Sequence, residues 1–396
     1  MFSHVLPFAG DPILGLMETY ALDPRSGKVN LGVGIYYDNE GNIPVLRSVR
    51  AAAERVFSAN APTSYLPIEG DVGYRSQVAG LLFGPQVESL RDSLAIVQSV
   101  GGSGALKVGA DFLRQHFPES SVFVSDPTWD NHIGIFDGAG FKVGRYRYYD
   151  ANTKGLDFEA MLADLRRLKP QDIVLLHPCC HNPTGVDPSR PQWNQILDII
   201  DERNLIPFVD MAYQGFAEGL ESDAYVVREL ARRRRNFLVS SSFSKIFSLY
   251  GERAGALTVH CADSAQTANV LGQLKFTIRR NYSSPPAHGM RLIATVLTDD
   301  TLQRQWLDEL EAMRVRIIDM RRKLHTALSV AVPARNFDHI VKQRGMFAYT
   351  GLSTQEVAAL KSDFGVYAAG SGRICVAGLN ENNVEYVADA FAKVVR

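Results

Sequence analysis

Between residues 94 and 260 the chain alternates short, largely apolar runs with longer stretches whose apolar residues recur at helical spacing. Residues 94–100, 121–125, 141–149, 173–177, 205–210, 236–242 and 253–260 read as strands. Helical patterns fill the intervals, near 104–116, up to 137, at 193–202 and at 224–235. Strands that alternate with helices of this length predict a mainly parallel sheet covered on both faces. Past Pro286 the texture changes. Residues 300–329 form one charged amphipathic stretch without Pro or Gly. A strand-like 346–350, a helical 354–364, a short 373–376 and a terminal helix at 382–395 follow. This predicts a second, smaller α+β domain, joined by the turn-rich start of the chain. The expected division is 1–45 as an arm and part of the small domain, 46–312 as the large domain, and 313–396 as the small C-terminal domain.

Composition narrows the class. With 396 residues, 46% hydrophobic and 21% charged, the chain is a globular protein with room for a large core. Its 42 basic and 43 acidic residues leave a net charge of −1, without the basic excess of a nucleic-acid binder. No apolar run approaches the length of a membrane span, and Met1-Phe2-Ser3-His4 does not open a signal peptide. Cys179, Cys180, Cys261 and Cys375 form no C-x-x-C motif, so they read as reduced thiols of a cytoplasmic protein.

Five segments at strand ends carry candidate chemistry. Gly101-Gly102-Ser103-Gly104-Ala105-Leu106-Lys107 follows a strand and opens a helix, so backbone N–H groups at the helix end can cradle a phosphate. It lacks the P-loop spacing, and Lys107 stands where a dinucleotide fingerprint has its third Gly or Ala. A dinucleotide site using Asp126 and a ligand-free turn both stay open at this point. In Ser240-Ser241-Ser242-Phe243-Ser244-Lys245, a strand ends at a lysine, and Arg253 follows eight residues later. A lysine placed so, among other positive groups, can act as a Schiff-base nucleophile. Ser242, Ser244 and Arg253 suit a phosphate dianion. A serine-hydrolase reading of Ser242-x-x-Lys245 needs S-D-N and K-T-G, and neither string occurs.

The third segment is His177-Pro178-Cys179-Cys180-His181-Asn182-Pro183-Thr184-Gly185. Its prolines forbid a helix, so His177 and His181 share no metal-binding face and no metal is expected. Asn182 before Pro183 fits a sharp turn that aims an amide into a cleft, with a cis bond permitted. Asp210, in Phe208-Val209-Asp210-Met211-Ala212-Tyr213, ends a buried strand, where open α/β sheets place ligand contacts. Trp129, in Asp126-Pro127-Thr128-Trp129-Asp130-Asn131-His132, can stack on an aromatic ring. Together these segments supply a Schiff-base lysine, a phosphate cradle, a carboxylate, a phenol and a stacking ring. That set can hold pyridoxal phosphate.

On these motifs the chain resembles the class I aminotransferases of the aspartate and aromatic amino-acid branch. The strings His181-Asn182-Pro183-Thr184-Gly185 and Ser242-Phe243-Ser244-Lys245 with Glu252-Arg253 carry the likeness, which runs from Gly10-Asp11-Pro12-Ile13 to the terminal helix. The resemblance implies an α/β fold of type I. A large pyridoxal-phosphate domain holds a mainly parallel seven-stranded sheet between helices, beside a smaller α+β domain. It further implies a homodimer whose active sites are shared across the interface, with amino acids and 2-oxo acids as substrates. Lys245 would form the internal aldimine and shuttle the proton, and Asp210 would pair with the pyridinium nitrogen, supported by His132. Asn182 and Tyr213 would bond the 3-oxygen, and Trp129 would stack on the ring. Gly102, Ser103, Ser242, Ser244 and Arg253 would hold the phosphate, with Tyr65 reaching it from the partner subunit. Arg373 would clamp the substrate α-carboxylate, Gly34 and Asn182 would line the substrate site, and Arg279 would bind a side-chain carboxylate across the interface.

Ser103, Ser284, Ile246, Ser248, Tyr37 and Ile43 depart from the aspartate-specific pattern, towards the aromatic branch, while Ser64 departs from the aromatic one. The expected reaction moves the amino group of Tyr, Phe, and also Asp or Glu, to 2-oxoglutarate or another 2-oxo acid by ping-pong kinetics. An aspartate aminotransferase with minor aromatic activity is the first alternative. A lysine-dependent lyase would not need Arg279. An NAD-dependent dehydrogenase, resting on Gly102-x-Gly104 and Asp126, leaves Lys245 and Arg253 unexplained.

Overall fold

The structure is a computed structural model that describes residues 1–7, 10 and 12–395; Asp11, where the family resemblance begins, lies outside them. The chain forms two compact units, Pro44–Val315 and Met1–Ile43 with Arg316–Arg396.

The larger unit is built on seven strands: β1 (Leu94–Val100), β2 (Val122–Asp126), β3 (Val143–Arg147), β4 (Ile173–Leu176), β5 (Ile206–Met211), β6 (Phe237–Ser242) and β7 (Ala254–His260). Their order across the sheet is β1-β7-β6-β5-β4-β2-β3. β7 runs antiparallel to both neighbours and every other pairing is parallel. Six strands therefore end at the same edge, where a ligand meets the strand-to-helix turns. Every residue of β4, β6 and β7 is buried, and β4 accordingly reads as an unbroken apolar run.

Helix α1 (Gly101–His116) follows β1 directly. Its Ala105, Leu106, Val108, Phe112 and Leu113 join Val97, Val124, Ile173, Leu175, Phe208 and Leu257 in the core. Helix α2 (Asp130–Asp137) follows β2, and α3 (Ser264–Asn281) follows β7. Helix α4 (Asp300–Ala331) spans 32 residues, contributing its first half to this unit. Trp306 on α4 is fully buried; its indole N–H donates to the Ile246 carbonyl at 2.8 Å and its ring stacks on Phe247.

The smaller unit pairs β8 (Phe347–Tyr349) antiparallel with β9 (Arg373–Cys375), and Val29–Asn30 parallel with Val366–Tyr367. Helices Thr354–Phe364 and Val384–Val394 complete it with the second half of α4. Ser353 and Glu356 cap the first of these reciprocally.

The observed elements differ from the sequence expectations in four places. α1 starts at Gly101 rather than 104, so the glycine pair is itself the first helical turn. The expected strand at 141–149 breaks after Arg147, and Tyr149–Asp150 pairs instead with Gly155–Leu156. The helix expected at 224–235 is Tyr225–Arg232, three residues shorter at its end, and a separate short helix, Leu220–Asp223, precedes it. The turn-rich start contains a helix, Pro12–Leu22. Among the described residues no helix is long and apolar enough to cross a membrane.

Candidate active site

The edge where β1, β2, β4, β5 and β6 end gathers most of the chemistry foreseen in the larger unit. Asp210 sits near the end of β5, 6% exposed. Its Oδ2 lies 3.0 Å from His132 Nε2, and His132 Nδ1 lies 2.9 Å from Thr128 Oγ1. With a carboxylate as acceptor, Nε2–H donates, and Nδ1 is left to accept from the threonine hydroxyl. Burial alone would raise the Asp210 pKa. The hydrogen bond from His132, with the electrostatic influence of His132, His177 and Lys245, outweighs burial and holds the carboxyl below its ordinary range. Asp210 is therefore an anion at neutral pH.

Lys245 lies just past β6, with its Nζ 5.0 Å from the centre of the Tyr213 ring. Tyr213 is buried, just after β5. Asn182 is buried in the turn after β4, and its bond to Pro183 is cis, as is Asp126–Pro127. Trp129 immediately precedes α2 and meets the His132 ring edge-on at 5.1 Å.

Beside them is an anion cradle. Val100 caps the start of α1 with no side-chain acceptor, so the first N–H groups of the helix are left for another partner. Arg253 holds a left-handed conformation, φ +52°, and its carbonyl accepts from the Gly101 N–H at 2.8 Å. The Arg253 Nη1 donates to Ser244 Oγ at 3.3 Å, and Ser242 Oγ donates to Ser244 Oγ at 3.3 Å. A Cβ on Gly101 would lie 2.6 Å from Arg253 Nη2, and one on Gly102 2.9 Å from Ser242 Cβ. Glycine at both positions lets the helix end approach the Ser242-Ser244-Arg253 cluster. Uncapped N–H groups, two hydroxyls and a guanidinium form a donor set for a phosphate dianion.

Behind Asp210 stands a histidine cluster that local sequence patterns did not connect with it. His177 is buried 5.0 Å from the His132 ring, and neither of its ring nitrogens has a hydrogen-bond partner among the described residues. His181 bonds Ser125 Oγ and Thr184 Oγ1, each at 2.8 Å, and stacks on Tyr148 at 4.0 Å. His132, His177 and Asp210 offer ligand atoms within 4.8 Å of one another, but both His132 nitrogens are taken by Asp210 and Thr128. The spacing His177-x-x-x-His181 was the available signal; the prolines ruled out a metal pair, and nothing local pointed to this packed cluster.

Burial, followed by repulsion from His132, pushes the His177 pKa from 6.5 down to about 3. Below pH 6.5 the unfolded chain binds a proton there that the folded chain refuses. Stability from this group is complete above pH 6.5 and falls as pH drops towards 3, at up to about 1.4 kcal/mol per pH unit. His177→Gln is expected to flatten that part of the acid limb. Urea unfolding at pH 7 and pH 5 measures it, and equal losses in the two proteins would refute the assignment.

The remaining expected site residues lie elsewhere. Tyr65 is 93% exposed, and Arg279, in the last turn of α3, is exposed and donates to Ser283 Oγ. Ser103 lies in the first turn of α1. Arg373 and Gly34 belong to the smaller unit. There Arg373 is buried, donates from Nη2 to the Gly32 carbonyl at 2.5 Å, and rests over the Phe347 ring at 4.4 Å.

Residues 26–391 match the family model described as aminotransferase class I and II. The chain belongs to this family. The aromatic-amino-acid aminotransferase of Escherichia coli K12 is 54% identical to this aminotransferase over the full length of both chains. The aromatic-amino-acid aminotransferase of Burkholderia pseudomallei, solved covalently bound to pyridoxal phosphate, is 49% identical with a TM-score of 0.97 over the full length of both. The psychrophilic aromatic amino acids aminotransferase of Psychrobacter sp. B6, cocrystallised with aspartic acid, is 50% identical with a TM-score of 0.98, again over the full length of both. The sheet order and the strand-end location of the site in this aminotransferase accord with the fold expected from its motifs.

Proposed function

We propose that this aminotransferase moves the amino group of tyrosine and phenylalanine, and also of aspartate and glutamate, to 2-oxoglutarate or another 2-oxo acid, with pyridoxal phosphate as cofactor. The observation that carries this reading is the buried Asp210–His132 pair on the same strand edge as Lys245 and the anion cradle. The donor set fits the cofactor: the cradle suits its phosphate, and the buried anion suits a protonated ring nitrogen. Similarity to enzymes named for aromatic amino acids, one of them cocrystallised with aspartic acid, supports the substrate range.

When bound, pyridoxal phosphate supplies an aldehyde that joins amines and a ring that takes up electron density from the substrate α-carbon. Gly102, Ser103, Ser242, Ser244 and Arg253 hold its phosphate. Asp210 keeps the ring nitrogen protonated, and His132 keeps Asp210 oriented. Asn182 and Tyr213 bond the ring oxygen, and Trp129 covers the ring face. Lys245 anchors the cofactor through Nζ. Released from that anchoring role, the same Nζ would be the group placed to take the substrate α-proton and to return it. Arg373 binds the α-carboxylate through its planar fork. The exposure of Tyr65 and Arg279 suits residues that serve the site of a partner subunit in a cytoplasmic homodimer.

Arg279 tests the substrate range. Arg279→Leu is expected to lower kcat/KM for aspartate by about 100-fold or more, the loss of a desolvated charge-assisted pair, while tyrosine changes by less than about fivefold. Steady-state rates with Tyr, Phe, Asp and Leu against 2-oxoglutarate measure both. Equal losses for aspartate and tyrosine would remove the dual-specificity reading.

A further inference from the structure

Arg321, on the second half of α4, is 3% exposed, although it sits in a run of charged residues, Arg321-Arg322-Lys323. Its Nη1 donates to the Ile340 carbonyl at 3.0 Å, and its Nη2 faces the carbonyls of Arg344 at 3.3 Å, Gly345 at 2.7 Å and Phe347. Gly345 takes φ +72°, which turns the chain so that these carbonyls converge on one guanidinium. The planar fork thus pins the segment that leads into β8.

Phe347, the first residue of β8, stands opposite Cys375 on β9, two residues from Arg373. Residues 347 and 349 share a face with their partners 375 and 373. The Phe347 ring therefore reaches diagonally under the Arg373 guanidinium, 4.4 Å from the ring centre. From another side Gly34 closes on the same ring: a Cβ there would lie 2.8 Å from Phe347 Cζ. Gly34 leaves space for the ring, and the ring is held against Arg373.

We infer that Arg321 is a positioning residue for Arg373, acting through Phe347: it fixes the β8 backbone, which fixes the ring that supports the carboxylate-binding guanidinium. This rests on the reading that Arg373 takes the substrate α-carboxylate. That carboxylate is common to every amino acid, so loss of the support weakens all substrates alike, unlike Arg279→Leu.

The test uses the full-length holoenzyme. Phe347→Leu and Arg321→Met are each expected to raise KM for both tyrosine and aspartate about tenfold, with kcat within about threefold of the parent. Calorimetric titration with 3-phenylpropionate, a carboxylate without an amine, should show the same tenfold weakening. The absorption spectrum of the bound cofactor and its pH dependence should not move. Arg321→Lys, with its charge on a single point, should fall between the parent and Arg321→Met. Should Arg321→Met fail to fold, Phe347→Leu and Arg321→Lys decide the matter. Arg373→Lys separates the two layers. If it leaves 3-phenylpropionate binding unchanged, the carboxylate reading fails and this inference with it. If it weakens binding while folded Phe347→Leu keeps the parent KM and affinity, the positioning role alone is wrong.

Discussion

Lys245→Ala lowers kcat for transamination by about 10⁴-fold or more, for aromatic and dicarboxylic amino acids alike. The expected size follows from what Nζ is asked to do. It lies at the end of β6 near the Tyr213 ring, on the same strand edge as the buried Asp210 anion. Lys245→Arg separates charge from proton transfer. Arginine keeps a cation near Asp210 but stays protonated at any working pH, so it cannot serve as base. It is expected to lose nearly as much activity as alanine. Stopped-flow absorbance of a single half-reaction, with no second substrate present, measures the chemical step directly. A Lys245→Arg protein within tenfold of the parent would mean that the lysine matters for its charge alone.

The sheet was legible because its strands are buried on both faces. An unbroken run such as Ile173–Leu176 leaves few other readings, and a polar residue closing an apolar run, Asp210 near the end of β5, stands out. The start of α1 was misplaced because glycine is a poor helix former. Here its lack of a side chain decides, since Cβ atoms at 101 and 102 would strike Arg253 and Ser242 from strands far along the chain. The places of His177 and His181 were illegible for a related reason. His181 finds Ser125 56 residues back, and His132 meets Asp210 78 residues ahead, a pairing expected from the family likeness alone. Spacing within one loop carries no trace of those pairings. Arg321 shows the same limit on the other unit. Three adjacent basic residues on an amphipathic helix look equally solvated, and only the convergence of carbonyls from 340 to 347 singles one out. The exposed positions of Tyr65 and Arg279 have no explanation within a single chain beyond a hydrogen bond to Ser283, which is why their roles rest on family likeness.

The second large effect belongs to Asp210. Asp210→Asn keeps the volume and removes the charge, and kcat is expected to fall about 10³-fold, as when a preorganised electrostatic partner is lost from a buried site. The pH behaviour fixes the sign. The carboxyl is held below its ordinary range, so it is ionised throughout the neutral and mildly acidic region, and the acid limb of the parent's rate profile should not report its titration. The variant's loss should accordingly be constant between pH 6 and 9 rather than shrinking at one end. Asp210→Glu restores the charge but moves it by a methylene from His132, whose Nε2 now sits 3.0 Å from Oδ2, so it should recover part of the rate. Stability is expected to move the same way. A carboxyl held below its ordinary range is one whose ionised form the fold favours, so the stability of cofactor-free Asp210→Asn to urea at neutral pH is expected to fall below the parent. The rate per folded molecule, measured where both proteins are fully folded, separates the chemical role of the carboxylate from its part in folding. An Asp210→Asn protein that unfolds easily yet keeps its rate per folded molecule would overturn the chemical role.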